Sequence, residues 1–177
     1  MDTIKQLNKF TKTVLIIGLA LILYGYLCRL IGLYFFWESK SVGWVLLFFG
    51  LIGFLLNRIK IKTTENRKTL FEKIGIGFII FILVVNTILS VVIPFTDAYL
   101  AAKTYLINDA NLETELGNIT EFGLIPTGGI QKTIDSNGEY GSATINLTVI
   151  GDKKFKDITI YVVKNANNPE WKVEEIE

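Results

Sequence analysis

The sequence contains no histidine and only one cysteine, Cys28, which lies within an apolar run. A disulfide within the chain is therefore impossible, and zinc sites built from cysteine and histidine are excluded as well. Hydrolases that use a histidine base or a cysteine–histidine pair are excluded by the same counts. Chemistry based on carboxylates or lysine stays open, but no catalytic, cofactor-binding or metal-binding set of residues is predicted.

Negative charge is scarce in the first half of the chain. Residues 1–96 carry 11 Lys and Arg against 4 Asp and Glu, whereas residues 97–177 carry 7 against 13. The total of +1 therefore combines a basic half and an acidic half. An acidic C-terminal half without a basic cluster is a poor match to nucleic acid, because phosphate contacts need concentrated positive charge. We expect no nucleic-acid partner.

Long apolar runs fill the first half and predict three transmembrane spans, at residues 14–36, 42–58 and 74–95. The last run would form a helix of roughly 33 Å, which is enough to cross a hydrocarbon core of about 30 Å. We expect the first span to be retained, because it is too long for a signal-peptide core and no small-residue cleavage pattern follows it. The prediction is a three-helix membrane region over residues 13–96, with the lipid bilayer as a partner, and a domain over residues 97–177.

Basic residues near the ends of the spans predict their orientation. The N-terminus and the second loop carry most of them, whereas the first loop carries only Lys40. Because cytoplasmic loops are enriched in Lys and Arg, residues 1–12 and the second loop are expected in the cytoplasm. The C-terminal domain is then extracytoplasmic, on a multi-pass protein of the plasma (inner) membrane.

Glycines predict how the first two spans pack together. They recur every seven residues, at Gly18, Gly25 and Gly32 and again at Gly43 and Gly50. This repeat keeps the glycines on one helix face, where the missing side chains let two backbones approach closely. We favour close packing of a hairpin over the general abundance of glycine in membrane helices.

Arg29 is a charged residue inside the first span, so it is a candidate functional residue. It lies roughly 25 Å along a helix from Lys12, which places it near the outer headgroups. A side chain that extends to the headgroups is the favoured interpretation. Pairing with Glu38 and a transport or ligand-binding role are the alternatives.

The residues after Pro94 predict a water-soluble α+β domain. A helix over 97–108 has an apolar side formed by Ala98, Leu100, Ala101, Thr104, Tyr105 and Leu106. Asp109 is the predicted cap of a short second helix that Gly117 closes. Alternating residues then predict five antiparallel strands at 118–125, 129–135, 140–150, 155–163 and 171–176. Turns are expected at 126–129, at Asn137-Gly138, at Gly151-Asp152 and over 165–169, and the helix is expected to pack on the sheet.

Four short patterns in this half resemble a known family. They are A-x-x-Y-L-x-N-D…L-x-x-x-L-G (102–117), G-x-I (128–130), N-G-x-x-G-x-A-x-I-x-L-x-V-x-G (137–151) and I-x-V…W-K-V-x-x-I (160–176). In this order they are similar to the cytochrome oxidase assembly factor one family, which is related to the twenty-one-kilodalton subunit of the mitochondrial inner-membrane translocase. The resemblance implies an extracytoplasmic helix on an antiparallel sheet and a non-enzymatic role in building respiratory complexes. The family commonly has one span, whereas this chain has three.

A few other residues are candidates for a binding site. Glu113, Glu115 and Glu121 suggest a shallow cation site, but carboxylates near a helix end usually form a solvated face. Gly128 and Gly129 indicate a turn rather than a place where the backbone lies close to a ligand. Trp171 favours the core or a sheet edge over a partner anchor.

These patterns favour a membrane-anchored, non-enzymatic interaction or assembly factor. Its extracytoplasmic domain is expected to dock a partner membrane protein, with respiratory complex assembly as the context that the resemblance implies. The alternative is an extracytoplasmic small-ligand or peptide sensor on a three-helix anchor. No cofactor and no metal are expected in either case.

Overall fold

Three long apolar helices form along the first half of the chain: α1 (Lys9–Ile31), α2 (Ser39–Thr64) and α3 (Leu70–Val92). Each is long and apolar enough to cross a membrane. The computed structural model describes residues 7–33, 35–136, 138–166 and 168–177. The contacts divide the chain into two compact units, one mainly before Asn86 and the other from Asn86 onward.

The helix bounds differ from the apolar runs in the sequence. Helix α1 ends at Ile31, five residues before the end of the predicted span, and Gly32 after it has φ +65°. A left-handed residue stops helical hydrogen bonding, which is why glycine is common after helix ends. Helix α2 is longer than its apolar run, because its 26 residues continue through the basic segment to Thr64.

Helices α1 and α2 pack against each other through glycine, as the sequence predicts. Gly18, Gly25, Gly43 and Gly50 are buried, and a Cβ on Gly43 would lie 2.8 Å from the backbone nitrogen of Ile22. Gly32 was wrongly predicted in this interface, since it is exposed and no described atom lies within 4 Å of a Cβ placed there. Gly53 was missed: a Cβ there would lie 2.7 Å from Oγ1 of Thr11.

Arg29 makes backbone contacts within this unit. Its guanidinium donates hydrogen bonds to the carbonyl oxygens of Gly25, at 3.0 Å, and of Trp37, at 3.2 Å. The side chain therefore joins the end of α1 to the segment before α2. Extension to the headgroups, pairing with Glu38 and a transport or ligand-binding role all stay predictions for Arg29.

The second unit begins within the third predicted span. After α3 come a single 3₁₀ turn (Ile93–Phe95), α4 (Asp97–Ile107) and α5 (Ala110–Leu116). The sheet contains β1 (Ile119–Phe122), β2 (Thr127–Asp135), β3 (Gly138–Gly151), β4 (Phe155–Asn165) and β5 (Asn168–Ile176). Within the described residues, five α-helices and a five-stranded antiparallel sheet confirm the predicted combination of helices and sheet.

Strand β3 organises the sheet. Strands β1 and β2 both pair with β3, at successive parts of the same edge, and β4 pairs with its other edge. Strand β5 pairs with β4 and ends the order β1-β3-β4-β5. Alternation along β3 places Ile145 and Val149 in the core and Asn146 in water, as predicted.

Two loops differ from their predicted positions. Residues 126–129 were wrongly predicted as a turn, because Thr127, Gly128 and Gly129 already pair with β3. The β2–β3 connection lies where Asp135 pairs with Gly138. Asn137 of the predicted turn and residue 167 of the predicted 165–169 loop lie outside the described residues.

The buried face of α4 also differs from the predicted one. Ala98, Tyr99, Ala102 and Leu106 face the core, whereas Leu100, Thr104 and Tyr105 are exposed. Residues four apart stack on one helix face, and small Ala98 and Ala102 let the helix lie close to the sheet. Leu112 and Leu116 of α5 belong to the same core cluster.

Candidate functional site

Helix α4 has one buried face and two exposed faces, and Thr96 caps its N-terminus. Oγ1 of Thr96 accepts a hydrogen bond from the backbone nitrogen of Tyr99 at 3.3 Å and donates one to the carbonyl of Ile93 at 2.7 Å. The same side chain therefore caps α4 and ties it to the turn that follows α3. With one face buried on the sheet, two exposed faces remain.

One exposed face forms a groove with strand β5. The groove has a volume of about 1020 Å³ and lies between the α4–α5 segment and residues 170–173. Its apolar lining consists of Ala101, Trp171 and Val173, which pack against the core, and of Ala110 and half-exposed Tyr105. Thr104 and Asn108 add polar groups along the helix side. Seven of the twelve lining residues are polar or charged. A cleft of this size that combines apolar surface with polar groups can bind a ligand or a peptide.

The Trp171 ring packs over a glycine on β3, Gly141. A Cβ on Gly141 would lie 2.8 Å from Cη2 of the Trp171 ring, so only glycine leaves room for the indole there. The ring is half-buried, packs against the core and lines the groove. The structure therefore combines the core and edge roles predicted for Trp171 and also exposes part of the ring in the candidate site.

Strand β5 offers an open edge beside the groove. Among the described residues it pairs with β4 alone. Glu177 and Thr159 exchange both backbone hydrogen bonds, at 2.8 and 3.0 Å. Because successive residues of an antiparallel strand direct their backbone groups to opposite sides, the N–H and C=O of Ile176 face away from β4. An extended segment can therefore continue the sheet at this edge.

The groove is predominantly acidic. Asp97, Asp109 and Glu170 line it, against one basic residue, Lys172. Asp109 also caps α5, since Oδ1 accepts hydrogen bonds from the backbone nitrogens of Asn111 and Leu112 at 2.9 and 3.0 Å. The sequence predicts this cap correctly. The charge of the lining favours a segment that carries Lys or Arg.

The predicted acidic trio does not form a common site with this groove. Glu115 lies between Lys156, at 3.0 Å, and Lys154, at 3.2 Å, and these lysines hold the pKa of its carboxyl below the usual range. The groove lining includes neither Glu113 nor Glu121. Among the described residues, no three or more Asp, Glu or Cys side chains gather closely enough to hold a metal ion.

A second carboxylate, Glu139 on β3, joins two lysines from neighbouring strands. Lys132 of β2 lies at 2.6 Å and Lys164 of β4 at 2.7 Å from its Oε1 atom. These contacts hold the pKa of Glu139 below its usual range. A group with a lowered folded-state pKa contributes stability above its unfolded-state pKa and loses it as the pH falls through the folded value.

We therefore expect Glu139→Gln to destabilise the sheet at pH 7 and to approach the wild type in acid. The difference should shrink as the pH falls below about 4.3, the ordinary glutamate value. Urea midpoints of the detergent-solubilised chain, followed by circular dichroism at several pH values, measure this. Glu174→Gln removes an exposed charge from β5 and is the control. A Glu139→Gln deficit that is the same at pH 7 and pH 3 would contradict the ion-pair account.

No family model, curated protein or solved structure matches the chain. Only the geometry of the groove therefore supports its assignment as a candidate site. The sequence singled out Trp171 and the Ala101–Thr104–Tyr105 side of α4, but it did not place them together. The acidic lining was visible only as the net charge of the C-terminal half.

Proposed function

We propose that the chain is a membrane-anchored, non-enzymatic interaction module whose C-terminal domain docks an extended segment of a partner membrane protein. The observation that carries this proposal is the groove between α4 and β5, beside a strand edge that no other described strand covers. A segment added to β5 gains backbone hydrogen bonds from the edge, and its alternate side chains enter the groove. The strand edge then supplies affinity, and the groove supplies selectivity.

The groove lining supports a partner segment of defined character. Trp171 and Tyr105 offer large apolar surfaces, and aromatic residues commonly dominate interface energies. The three carboxylates favour lysine or arginine in the docked segment. The segment is therefore an extended stretch with apolar residues at alternate positions and at least one basic side chain.

The membrane setting is supported by α1, α2 and α3, which are long and apolar enough to cross a bilayer. The distribution of Lys and Arg supports a cytoplasmic N-terminus and an extracytoplasmic domain. The resemblance to the assembly-factor family adds respiratory complexes as the context in which the partner is to be sought. A partner close to the membrane surface is consistent with a domain that begins directly after α3.

The alternative function, a sensor that binds a small ligand, has less support. The space between α4 and the sheet is filled by Ala102, Leu106, Ile145 and Ile160, each at most 1% exposed. A small ligand would therefore have to use the open groove. An extended segment also uses the neighbouring strand edge, and for this reason we favour it.

A pair of matched threonines offers a direct test. Thr104 lines the groove, Thr114 does not, and both are exposed helix residues whose hydroxyl donates to the carbonyl four residues earlier, at 2.9 and 2.8 Å. A photo-crosslinking amino acid at each position, in cells that natively make the chain, should join a partner from position 104 only. Mass spectrometry should locate the cross-link in an extended, Lys- or Arg-containing segment of one membrane protein.

The acidic lining of the groove predicts a second result. Asp97→Asn combined with Glu170→Gln should lower the cross-link yield at position 104 while the domain stays folded. Equal cross-linking from positions 104 and 114, or a cross-linked segment that is helical and acidic, would overturn the proposed docking mode.

A further inference from the structure

The second exposed face of α4 carries apolar residues beside the end of α3. Leu100, Ile107 and Leu124 line a groove of about 780 Å³ together with Pro94 and Lys103. Leu124 is 83% exposed, Leu100 53% and Phe95, next to Pro94, 83%. We call Phe95, Leu100, Ile107 and Leu124 the apolar face. It is separate from the β5 groove, since the two share no lining residue.

We propose that the apolar face rests in the interfacial region of the lipid bilayer, so that the domain lies against the membrane surface rather than projecting from it. This inference rests on the proposed membrane anchoring and adds a second lipid-contacting surface to it. Three observations support it: the attachment of the domain to the end of α3, the length of the apolar run before Pro94, and the chemistry of the face.

The domain is packed onto the end of α3. Ile93 is 1% exposed and belongs to the same core cluster as Ala98, Ala102 and Leu106. Thr96 adds the hydrogen bond to the Ile93 carbonyl. The neighbouring Val91 and Val92 remain exposed, at 59% and 50%. The apolar surface at the end of α3 therefore continues into the apolar face without a flexible linker between them.

The position of Pro94 along the apolar run sets the height of the face. The run begins at Ile74, directly after Lys73, and Ile93 is its twentieth residue. Twenty helical residues span about 30 Å, the thickness of a hydrocarbon core. With Lys73 at one headgroup layer, Pro94 lies at the opposite boundary. Leu100 and Leu124, which line the same groove as Pro94, are then level with the headgroups and the first acyl carbons.

The chemistry of the face fits this environment better than it fits water. Leucine and phenylalanine side chains gain from contact with the acyl boundary. Lys103 and Glu121 line the same groove, and Nζ of Lys103 lies 5.0 Å from the centre of the Phe122 ring. A long side chain with an apolar stem and a charged end suits the level at which lipid phosphates lie. A protein partner on this face is the alternative occupant, and a bilayer that contains only lipid distinguishes the two.

Depth-dependent fluorescence quenching tests the inference on the full chain. The single cysteine is removed with Cys28→Ala, and one new cysteine is labelled with an environment-sensitive fluorophore after reconstitution into phosphatidylcholine–phosphatidylglycerol vesicles. Leu124→Cys reports on the apolar face. Ile134→Cys is the matched control, because Ile134 is also apolar and 74% exposed but lies near the far end of β2. Ile80→Cys, within α3, reports on membrane insertion itself.

Spin-labelled lipids should quench the probe at position 124 several-fold more than the probe at position 134, with the shallow label more effective than the deep one. The deep label should quench position 80. Quenching at position 80 with equal, weak quenching at 124 and 134 overturns the inference and leaves the anchoring intact. Absence of quenching at all three positions contradicts the anchoring itself, and strong quenching at both 124 and 134 overturns the assignment of one membrane-facing surface.

Discussion

Replacing Gly128 with alanine should remove much of the stability of the C-terminal domain. Gly128 lies within β2 with φ +145°, a conformation that residues with a Cβ rarely adopt. A Cβ there would also approach the carbonyl oxygen of Thr144 on β3 far inside van der Waals contact. The backbone strain and the displaced strand together should cost roughly 2–5 kcal/mol. Because small domains are only marginally stable, this loss should lower the urea midpoint of the sheet strongly.

The adjacent glycine provides the control. Gly129 pairs with β3 as Gly128 does, but a Cβ on Gly129 meets nothing within 4 Å. Gly129→Ala should therefore stay within about 1 kcal/mol of the wild type. Urea midpoints by circular dichroism, with amide hydrogen exchange of β2 and β3, compare the two variants in detergent. Similar midpoints for both variants would show that the strand can shift away from Thr144, contrary to our account.

Replacing Gly43 with leucine should separate α1 from α2. A Cβ at this position would lie 2.8 Å from the backbone nitrogen of Ile22 and 2.9 Å from the carbonyl oxygen of Gly18. Backbone atoms cannot rotate away as a side chain can, so the whole helix has to move. We expect a loss of roughly 1–3 kcal/mol in stability. The buried thiol of Cys28, in α1, should then react with a thiol-specific fluorophore at a lower temperature than in the wild type.

Gly77→Leu is the matched substitution in α3. No described atom lies within 4 Å of a Cβ at that position, and Gly77 is exposed. The leucine adds the same apolar bulk and improves helix propensity by up to about 1 kcal/mol. The Cys28 reaction temperature should therefore stay at or above that of the wild type. If Gly43→Leu and Gly77→Leu changed it equally, the effect would come from added hydrophobicity rather than from helix contact.

Local patterns in the sequence predicted much of the fold correctly. The caps are the best case: Asp109 binds backbone nitrogens at the start of α5, and Gly117, with φ +81°, ends it. The alternation in β3 correctly separated its core side from its water side. Such features depend on residues a few positions apart, so the physical cause lies within the window that a sequence pattern covers.

Packing partners were harder to predict. Gly32 and Gly53 show the limit, because the seven-residue repeat includes Gly32 but omits Gly53, which actually lies against Thr11. The face of α4 shows it again, since Leu100 is more apolar than Ala98 and yet is exposed. The small alanine is buried because the helix approaches the sheet closely there. That choice depends on the facing strands and not on the hydrophobicity of the helix alone.

The sequence by itself determined three apolar helices, an acidic α+β half and the absence of histidine chemistry, because composition and periodicity carry these properties. The tertiary structure alone decided that β5 ends the sheet, that Ala101 and Trp171 share a groove, and that Leu100 and Leu124 lie beside Pro94. These pairs are 70 and 24 residues apart in the chain. Their meeting depends on strand order and on one choice of helix face, and both are set by the packing of the whole core.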